Sequence, residues 1–388
     1  MSKRLITLVS ILFVNNTAIA AAHALLPVYV ERDLGLSPIF TGTLVAIETA
    51  MGGCIAVGAG AMADRIGHRL VLVIGILGFS AGLLKFLTGI PWILILLAVI
   101  LGLAHGMRST AAQSYLLNVT TRQTVGLSSA AFFLGGTIGT AVSSAIAGPI
   151  IEAYGFGAYA YGGLALNLIP AALTLRYLQN IRPARQSSGD DRLRTRDILN
   201  RREVLLMGGL RFFPTAFFGV WSLTLPLLIF RATNSVLTTA LYTAAGMALS
   251  AFSQFAVGRW SDRCGRAQPI YTVLSILVVV SAVAAFAWTI TEVLLVAGVF
   301  GIIGAWNMSV LVLGTVRDRT ARFERNRVVG FVHALWSFGL LTGSLIAGAS
   351  LDINPTIPLL LATAANIVAL LIAIRLFVTR PLPTPNHA

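Results

Sequence analysis

The sequence predicts an all-α membrane protein: twelve transmembrane helices in two pseudo-symmetric six-helix bundles. Three observations carry that prediction. Of 388 residues only 11% are charged while 56% are hydrophobic; a soluble globule carries about 25% Asp, Glu, Lys and Arg, so most of this molecule's outside must touch lipid. Uncharged runs long enough to cross a bilayer, about 20 residues as a helix, recur along the whole chain. Landmarks of the first half also return in the second at a nearly constant offset.

The net charge of +14 would suggest nucleic acid in a soluble protein. Here the arginines cluster between long uncharged stretches, as positive charge does on the cytoplasmic side of a membrane, and no nucleic-acid partner is expected. Cys54 and Cys264 give neither a zinc spacing nor a disulfide framework. No metal or cofactor is expected.

Taken in order, the stretches 5–30, 123–151, 153–175, 232–258, 267–291, 328–351 and 353–374 contain no Asp, Glu, Lys or Arg, and others hold one embedded charge. Together they give twelve spans near 5–28, 39–60, 70–90, 92–118, 125–151, 158–178, 204–229, 236–258, 268–288, 291–315, 328–350 and 356–378. Lys3 and Arg4 ahead of an apolar run and Ala20-Ala21-Ala22-His23-Ala24 imitate a secretory signal. The run is longer than a signal core and continues through Pro27-Val28-Tyr29-Val30, so a retained first helix is expected.

One side of the spans collects Lys3, Arg4, Arg65, Arg69, Arg122, the group from Arg176 to Arg202, Arg259, Arg263, Arg266, the group from Arg317 to Arg327, Arg375 and Arg380, against Arg32 and Arg231 on the other. This imbalance makes the first side cytoplasmic, with both termini there, and requires an even number of spans. Residues 179–203 are the only long polar segment, and read as a solvated linker held near anionic headgroups by its arginines. The expected units are 1–178 and 204–388, joined by 179–203.

The halves look like copies. Gly60-Ala61-Met62-Ala63-Asp64-Arg65-Ile66-Gly67-His68-Arg69 returns as Gly258-Arg259-Trp260-Ser261-Asp262-Arg263-Cys264-Gly265-Arg266-Ala267, an offset of 198. Pro27 matches Pro226, Gly102 matches Gly301, and the pair Gly135 and Gly139 matches Gly339 and Gly343. Four coincidences in order indicate a duplicated six-helix unit.

Across essentially the whole chain these residues resemble the major facilitator superfamily. Its signature loop between spans two and three, of the form Gly-x-x-x-Asp-Arg/Lys-x-Gly-Arg-Arg/Lys, stands at Gly60 to Arg69 and more loosely at Gly258 to Arg266, with His68 and Ala267 in place of a usual basic residue. By physical reasoning Gly60 and Gly258 permit a close helix approach, Gly67 and Gly265 permit a positive φ, and Asp64 and Asp262 can accept hydrogen bonds from arginines such as Arg65, Arg69 and Arg263. The resemblance implies that this clasp steadies the outward-facing state. Span five, with Gly135-Gly136-Thr137-Ile138-Gly139 and then Gly148-Pro149, is similar to the glycine-rich helix of twelve-helix drug:proton antiporters; small residues four apart let helices pack closely, and Pro149 is expected to kink the helix end. The arginine that such antiporters carry early in span four, near Ala98 or Val99 here, is absent, and an arginine comes later, at Arg108.

Ionisable groups at membrane depth are costly and mark candidate sites. Glu48, the only acid near the centre of a span, is the expected proton carrier, with a permanently paired carboxylate as the other reading. Arg108 in span four, with His105 one turn before it, and Arg211 in span seven beside Pro214 are expected to face a central cavity, since the resemblance implies that spans one, four, seven and ten line it. Arg108 has a second reading as partner of Glu48, and Arg211 has one as a snorkelling side chain; Lys85, toward the outer end of span three, is read as a snorkelling side chain. Asn15, Asn16, His23, Gln113, Trp306, Asn307, His333 and Trp336 add polar and aromatic lining, each alone equally a packing contact. Two arginines against one glutamate make the cavity lean positive, which suits an anionic or zwitterionic solute.

Gly78-Phe79-Ser80-Ala81-Gly82 matches a hydrolase elbow but lies inside an apolar helix. Asn118-Val119-Thr120 matches a glycosylation acceptor but lies on the cytoplasmic side, and no phosphate loop occurs. The expectation is therefore a non-enzymatic secondary transporter of a bacterial inner membrane, a monomer whose partners are lipid, protons and a small-molecule solute. Proton antiport in the export direction comes first, proton-linked or facilitated uptake of an organic anion second, and a non-transporting membrane receptor third.

Overall fold

The computed structural model describes residues 3–119, 125–179, 200–320 and 325–378. Among them there is no strand. Twelve helices follow in order: α1 (Lys3–Arg32), α2 (Pro38–Ile66), α3 (His68–Phe79), α4 (Ala81–Leu84), α5 (Pro91–Val119), α6 (Val125–Tyr177), α7 (Arg202–Thr233), α8 (Val236–Cys264), α9 (Ala267–Phe286), α10 (Thr291–Arg319), α11 (Arg325–Ser350) and α12 (Thr356–Val378). Most of the linker expected at 179–203 lies outside the described residues.

Twelve helices are not the twelve spans one for one. The third span is α3, α4 and a 3-10 turn at Lys85–Leu87. Conversely, α6 runs for 53 residues, about 80 Å at 1.5 Å per residue and more than twice a hydrocarbon core of about 30 Å. Gly155, at φ 81° and ψ 170°, divides it into two antiparallel legs, a conformation open to glycine and closed to most other residues. The reversal at Gly155 lies between the expected spans 125–151 and 158–178, and Pro149, expected to kink the helix end, stays inside the first leg. Among the described residues eleven helical segments are long and apolar enough to cross a membrane, and two legs in one of them give twelve crossings.

The break in the third span has a local cause. The amide of Ser80 bonds Leu77 O at 3.1 Å and so leaves Ile76 O without its usual helical donor. Asn167, from the second leg of α6, donates to that carbonyl at 2.8 Å and to Ser80 Oγ at 2.7 Å. Elsewhere hydroxyls satisfy themselves inside their own helix, as Thr17 does on Phe13 O at 2.9 Å and Thr315 on Leu311 O at 2.9 Å; lipid offers them no other partner. Phe252, Val279, Phe286 and Leu371 are exposed on the outer surface, as a lipid-facing wall requires.

The duplication is visible in packing. A Cβ built on Gly135 would lie 2.9 Å from Val9, and one on Gly139 2.7 Å from Phe13 O; in the second half Gly339 and Gly343 approach Phe212 O and Ala216 O in the same way. Both pairs thus let the fifth helix of a half close on its first. Gly102 and Gly301 share sequence position but not partner, the first meeting Glu48 and Met51 of α2, the second the ring of Trp221.

The halves meet at the end of the bundle opposite the chain's N-terminal residues, here called the far end. One apolar cluster there joins Leu25, Leu26, Tyr29 and Ala147 to Phe230, Val236 and Ala240, while Leu5, Leu8, Leu72, Tyr115 and Leu178 form a separate cluster within the first half. Across the far end Arg231 grips Glu31 through two bonds of 2.7 and 2.6 Å and reaches Asp352 at 3.0 Å. Glu152 accepts from the Leu237 amide at 2.8 Å at the start of α8, where an anion also meets the positive end of the helix dipole.

Candidate functional site

Halfway through the bundle the first half gathers most of its predicted polar residues. Glu48 on α2 is buried, and so is Lys85, only 1% exposed; Lys85 Nζ contacts Glu48 Oε1 directly. Lys85 therefore does not snorkel. It turns inward because the 3-10 turn brings it opposite Glu48, and a lone carboxylate in that setting would be far costlier than a paired one. His23 Nδ1 lies 3.7 Å from Glu48 Oε2 and its side chain is 40% exposed in mid-helix, so Glu48 stands between a sealed lysine and an open histidine.

Arg108 does not pair with Glu48. Its Nη1 donates to Asn15 Oδ1 at 2.8 Å and Asn16 Oδ1 at 3.1 Å, and its guanidinium carbon lies 4.3 Å from the Phe79 ring centroid, a cation–π distance. Asn15 is aimed by a buried chain: its Nδ2 donates to Asn167 Oδ1 at 2.6 Å, and Asn167 is itself fixed on Ile76 and Ser80. Phe79 stands between His23, at 5.4 Å, and His105, at 5.6 Å.

The second half answers with fewer groups. Arg211 Nη1 donates to Ser309 Oγ of α10 at 2.9 Å. Trp306, one turn before Ser309, stands edge-on to Phe218 at 6.4 Å, and His333 stacks on Trp336 at 5.5 Å and 15°. Asn307 Nδ2 donates to Ser253 Oγ of α8 at 2.6 Å, a bond between packed helices, while its Oδ1 is buried without a partner, and Gln113 is exposed. The two halves come together here along α2 and α11, where a Cβ built on Gly53 would lie 3.6 Å from Ser337 Oγ. The helix that carries Glu48 and the helix that carries His333 and Trp336 thus pack on one another across the seam. A groove of about 290 Å³ lined by Val9, Phe13, Leu134 and Gly135 lies on the same helical face of α1 as Asn16 and His23, which follow Val9 at seven-residue steps.

Lys85, Asn167, Ser309 and Phe79 are the residues sequence reasoning missed as members of this site. Lys85 carried a signal, being an ionisable group inside an apolar span; the other three carried none that sets them apart from packing residues.

At the loop predicted as a conformational clasp, Gly67 and Gly265 do take positive φ, 92° and 77°, each ending one helix and turning into the next. Arg69 Nη1 reaches Leu175 O at 3.4 Å. In the second copy the arginine that holds the loop is Arg266, which bonds Asp262 at 3.1 Å, Asp318 at 2.8 Å and Ser261 Oγ at 2.5 Å; Arg263, like Arg65, is exposed. Gly258 has no atom within 4 Å of a built Cβ, so it mediates no close helix approach in this conformation. The Asp64 side chain and the surroundings of Gly60 lie outside the described residues.

Comparison with known proteins agrees with this architecture. Residues 8–233 and 215–388 each match the Major Facilitator Superfamily. A class E tetracycline resistance protein of Escherichia coli is 30% identical over 123 residues, 30% of this chain and 29% of that protein. A class D tetracycline resistance protein of Salmonella ordonez is 33% identical over 131 residues, 31% of this chain and 30% of that protein. In both cases the match spans less than a third of the relative. The crystal structure of the nucleoside transporter NupG superposes with a TM-score of 0.79 over 97% of this chain and 99% of that one, at 12% identity, a likeness of fold. The chain is an integral membrane protein and belongs to the Major Facilitator Superfamily.

Proposed function

We propose that the chain is a proton-coupled secondary transporter that exports a small organic solute by alternating access. The observation that carries this reading is the Glu48–His23 pair. One carboxylate is held at mid-depth between a buried lysine and a histidine that opens onto the seam, while the far end of the same seam is closed by Arg231, Glu31 and Glu152. With the arginine-rich side cytoplasmic, the conformation is closed to the outside, and both termini lie in the cytoplasm of a bacterial inner membrane. Residues 1–178 and 204–388 then rock about the seam as two bodies joined by 179–203.

A proton reaching Glu48 by way of His23 cancels the charge that binds Lys85. The pair at the seam is thereby changed in the step that a coupled transporter must link to a change of shape. Export is the direction in which a transporter can keep a toxic solute out of the cell, and the two partial relatives are named for tetracycline resistance. Uptake of an organic anion is the second reading, supported by Arg108 and Arg211.

Proteoliposomes loaded with candidate solute and carrying a lumenal pH indicator test the proposal. Solute flux driven by a proton gradient, with the opposite proton movement, is expected of antiport; movement in the same direction makes the protein a symporter. Glu48→Gln is expected to abolish proton-linked flux while leaving solute exchange without a gradient measurable. Undiminished proton coupling in that variant would remove Glu48 from the role.

A further inference from the structure

We propose that Arg108 and Arg211 form a two-point clamp, one arm in each half, for the oxyanion of an amphipathic organic solute such as an aromatic carboxylate or phosphate monoester. The inference rests on the transporter reading above and adds the class of solute.

Charge accounting at the seam comes first. The carboxylate there, Glu48, is neutralised by Lys85. Arg108 is held by two asparagine oxygens and Arg211 by a serine hydroxyl, partners that orient a guanidinium without cancelling its charge. Two cationic forks therefore remain inside a bundle walled by apolar side chains, where an uncompensated charge is costly. An anion arriving from water offsets that cost in a way that a neutral or cationic solute cannot.

Two of the three unpartnered polar atoms beside the arginines have the matching polarity, the third being the acceptor Asn307 Oδ1 on the α8 side of α10. Arg108 Nε and Trp306 Nε1 are buried N–H donors without a partner, the first beside Phe79 and the second one turn from the serine that holds Arg211. Donors left over in both halves call for acceptors, and an oxyanion is acceptor-only with several lone pairs. The aromatic neighbours Phe79, Phe218, Trp306 and Trp336 suit an apolar or ring-bearing body attached to that oxyanion.

Arg108 is also preset. The run Ser80, Asn167, Asn15, Arg108 joins the α3–α4 junction, the second leg of α6, α1 and α5 through bonds of 2.7, 2.6 and 2.8 Å, so one arm keeps its aim before the solute arrives and the ordering cost falls on the other. Asn167 is a positioning residue in this scheme: it acts on the solute through Asn15 and Arg108.

The test uses the purified full-length chain and a matched probe set with one ring system: 2-naphthoate, 2-naphthyl phosphate, the neutral 2-naphthamide and the cationic 2-naphthylmethylamine, together with benzoate and succinate. At least one oxyanion is expected to raise the unfolding midpoint by about 2 °C or more, with carboxylate and phosphate compared directly and the amide and amine without effect. Arg108→Gln and Arg211→Gln are each expected to weaken that binding by about thirtyfold or more, and Arg108→Lys to fall between them and the parent. Should Arg108→Gln fail to fold, Arg211→Gln and Arg108→Lys still decide. Stabilisation by amide or amine equal to that by the anion, anion binding unchanged in both Arg→Gln variants, or no stabilisation by any oxyanion in the set would each overturn the clamp. Counterflow of a bound probe in proteoliposomes keeps the two readings apart. A bound anion that is never exchanged refutes transport and leaves the clamp standing; exchange of a cationic or neutral probe does the reverse.

Discussion

Lys85 and Glu48 illustrate how a single pair decides the chemistry of a membrane interior. Bringing two charges together out of water roughly breaks even, but removing one partner strands the other, at a cost of about 3–5 kcal/mol. Lys85→Met is therefore expected to lower the unfolding midpoint of the purified protein markedly, and Glu48→Gln added to it should restore most of the loss, because no charge is then left unpaired. Thermal or denaturant unfolding of both singles and the double provides the cycle; a double variant no more stable than Lys85→Met alone would mean that the two side chains are not coupled. At this scale the sequence was half legible. Glu48, His23, Arg108 and Arg211 stand out because each is a polar or charged letter in an apolar run. Which of them meet did not, because the contact of Glu48 with Lys85 spans 37 residues and depends on a helix break at Ser80 that the flanking Gly78 and Gly82 do not announce, glycine being frequent inside unbroken membrane helices. The cause of that break is Asn167, a further 87 residues along.

At the scale of helices, close approach is governed by glycine, and the structure separates glycines that look alike in sequence. Gly343 faces Ala216 O across α11 and α7, closer than a Cβ tolerates, whereas Gly258 faces open space. Gly343→Ala must therefore push two backbones apart, an overpacking cost of about 1–3 kcal/mol, while Gly258→Ala meets nothing and gains up to about 1 kcal/mol of helix propensity. The expected outcome is a lower unfolding midpoint and poorer yield for the first and an unchanged or raised midpoint for the second, compared side by side in the same detergent. Equal behaviour of the two would refute the packing argument. Sequence supplied the pairing of Gly135 and Gly139 with Gly339 and Gly343 because duplication keeps spacing. It could not supply the difference at Gly258, since a signature glycine reads the same whether or not a neighbour is close. Helix ends were recovered where a positive φ demanded glycine, at Gly67 and Gly265. The turn between the fifth and sixth spans falls at Gly155, inside the interval 152–157 that the expected spans 125–151 and 158–178 leave between them, whereas Pro149, expected to kink the helix end, stays inside a continuous helix.

For the whole molecule the question is whether the closed far end is one of two states or a permanent weld. Its polar contacts are partly exposed, with the Arg231 side chain 35% accessible, so even this bidentate pair holds the ends together by about 1 kcal/mol, and a bias of that size is reversible. The apolar contact beneath offers a direct test: a Cβ built on Gly148 lies 2.9 Å from Ala240 Cβ across the seam, short of the Cβ separation of about 3.8 Å in a disulfide by an amount that small shifts of α6 and α8 can absorb. In a chain whose exposed Cys54 and Cys264 are replaced by serine, Gly148→Cys with Ala240→Cys should form a disulfide under mild oxidation. If alternating access operates, the oxidised protein can still bind solute from the arginine-rich side but can no longer release it beyond the far end, so flux should fall to background and return on reduction, with each single variant insensitive to oxidant. Full flux through the crosslinked protein would mean that the far end need not open, and the rocking of two bundles about a central site would have to be abandoned.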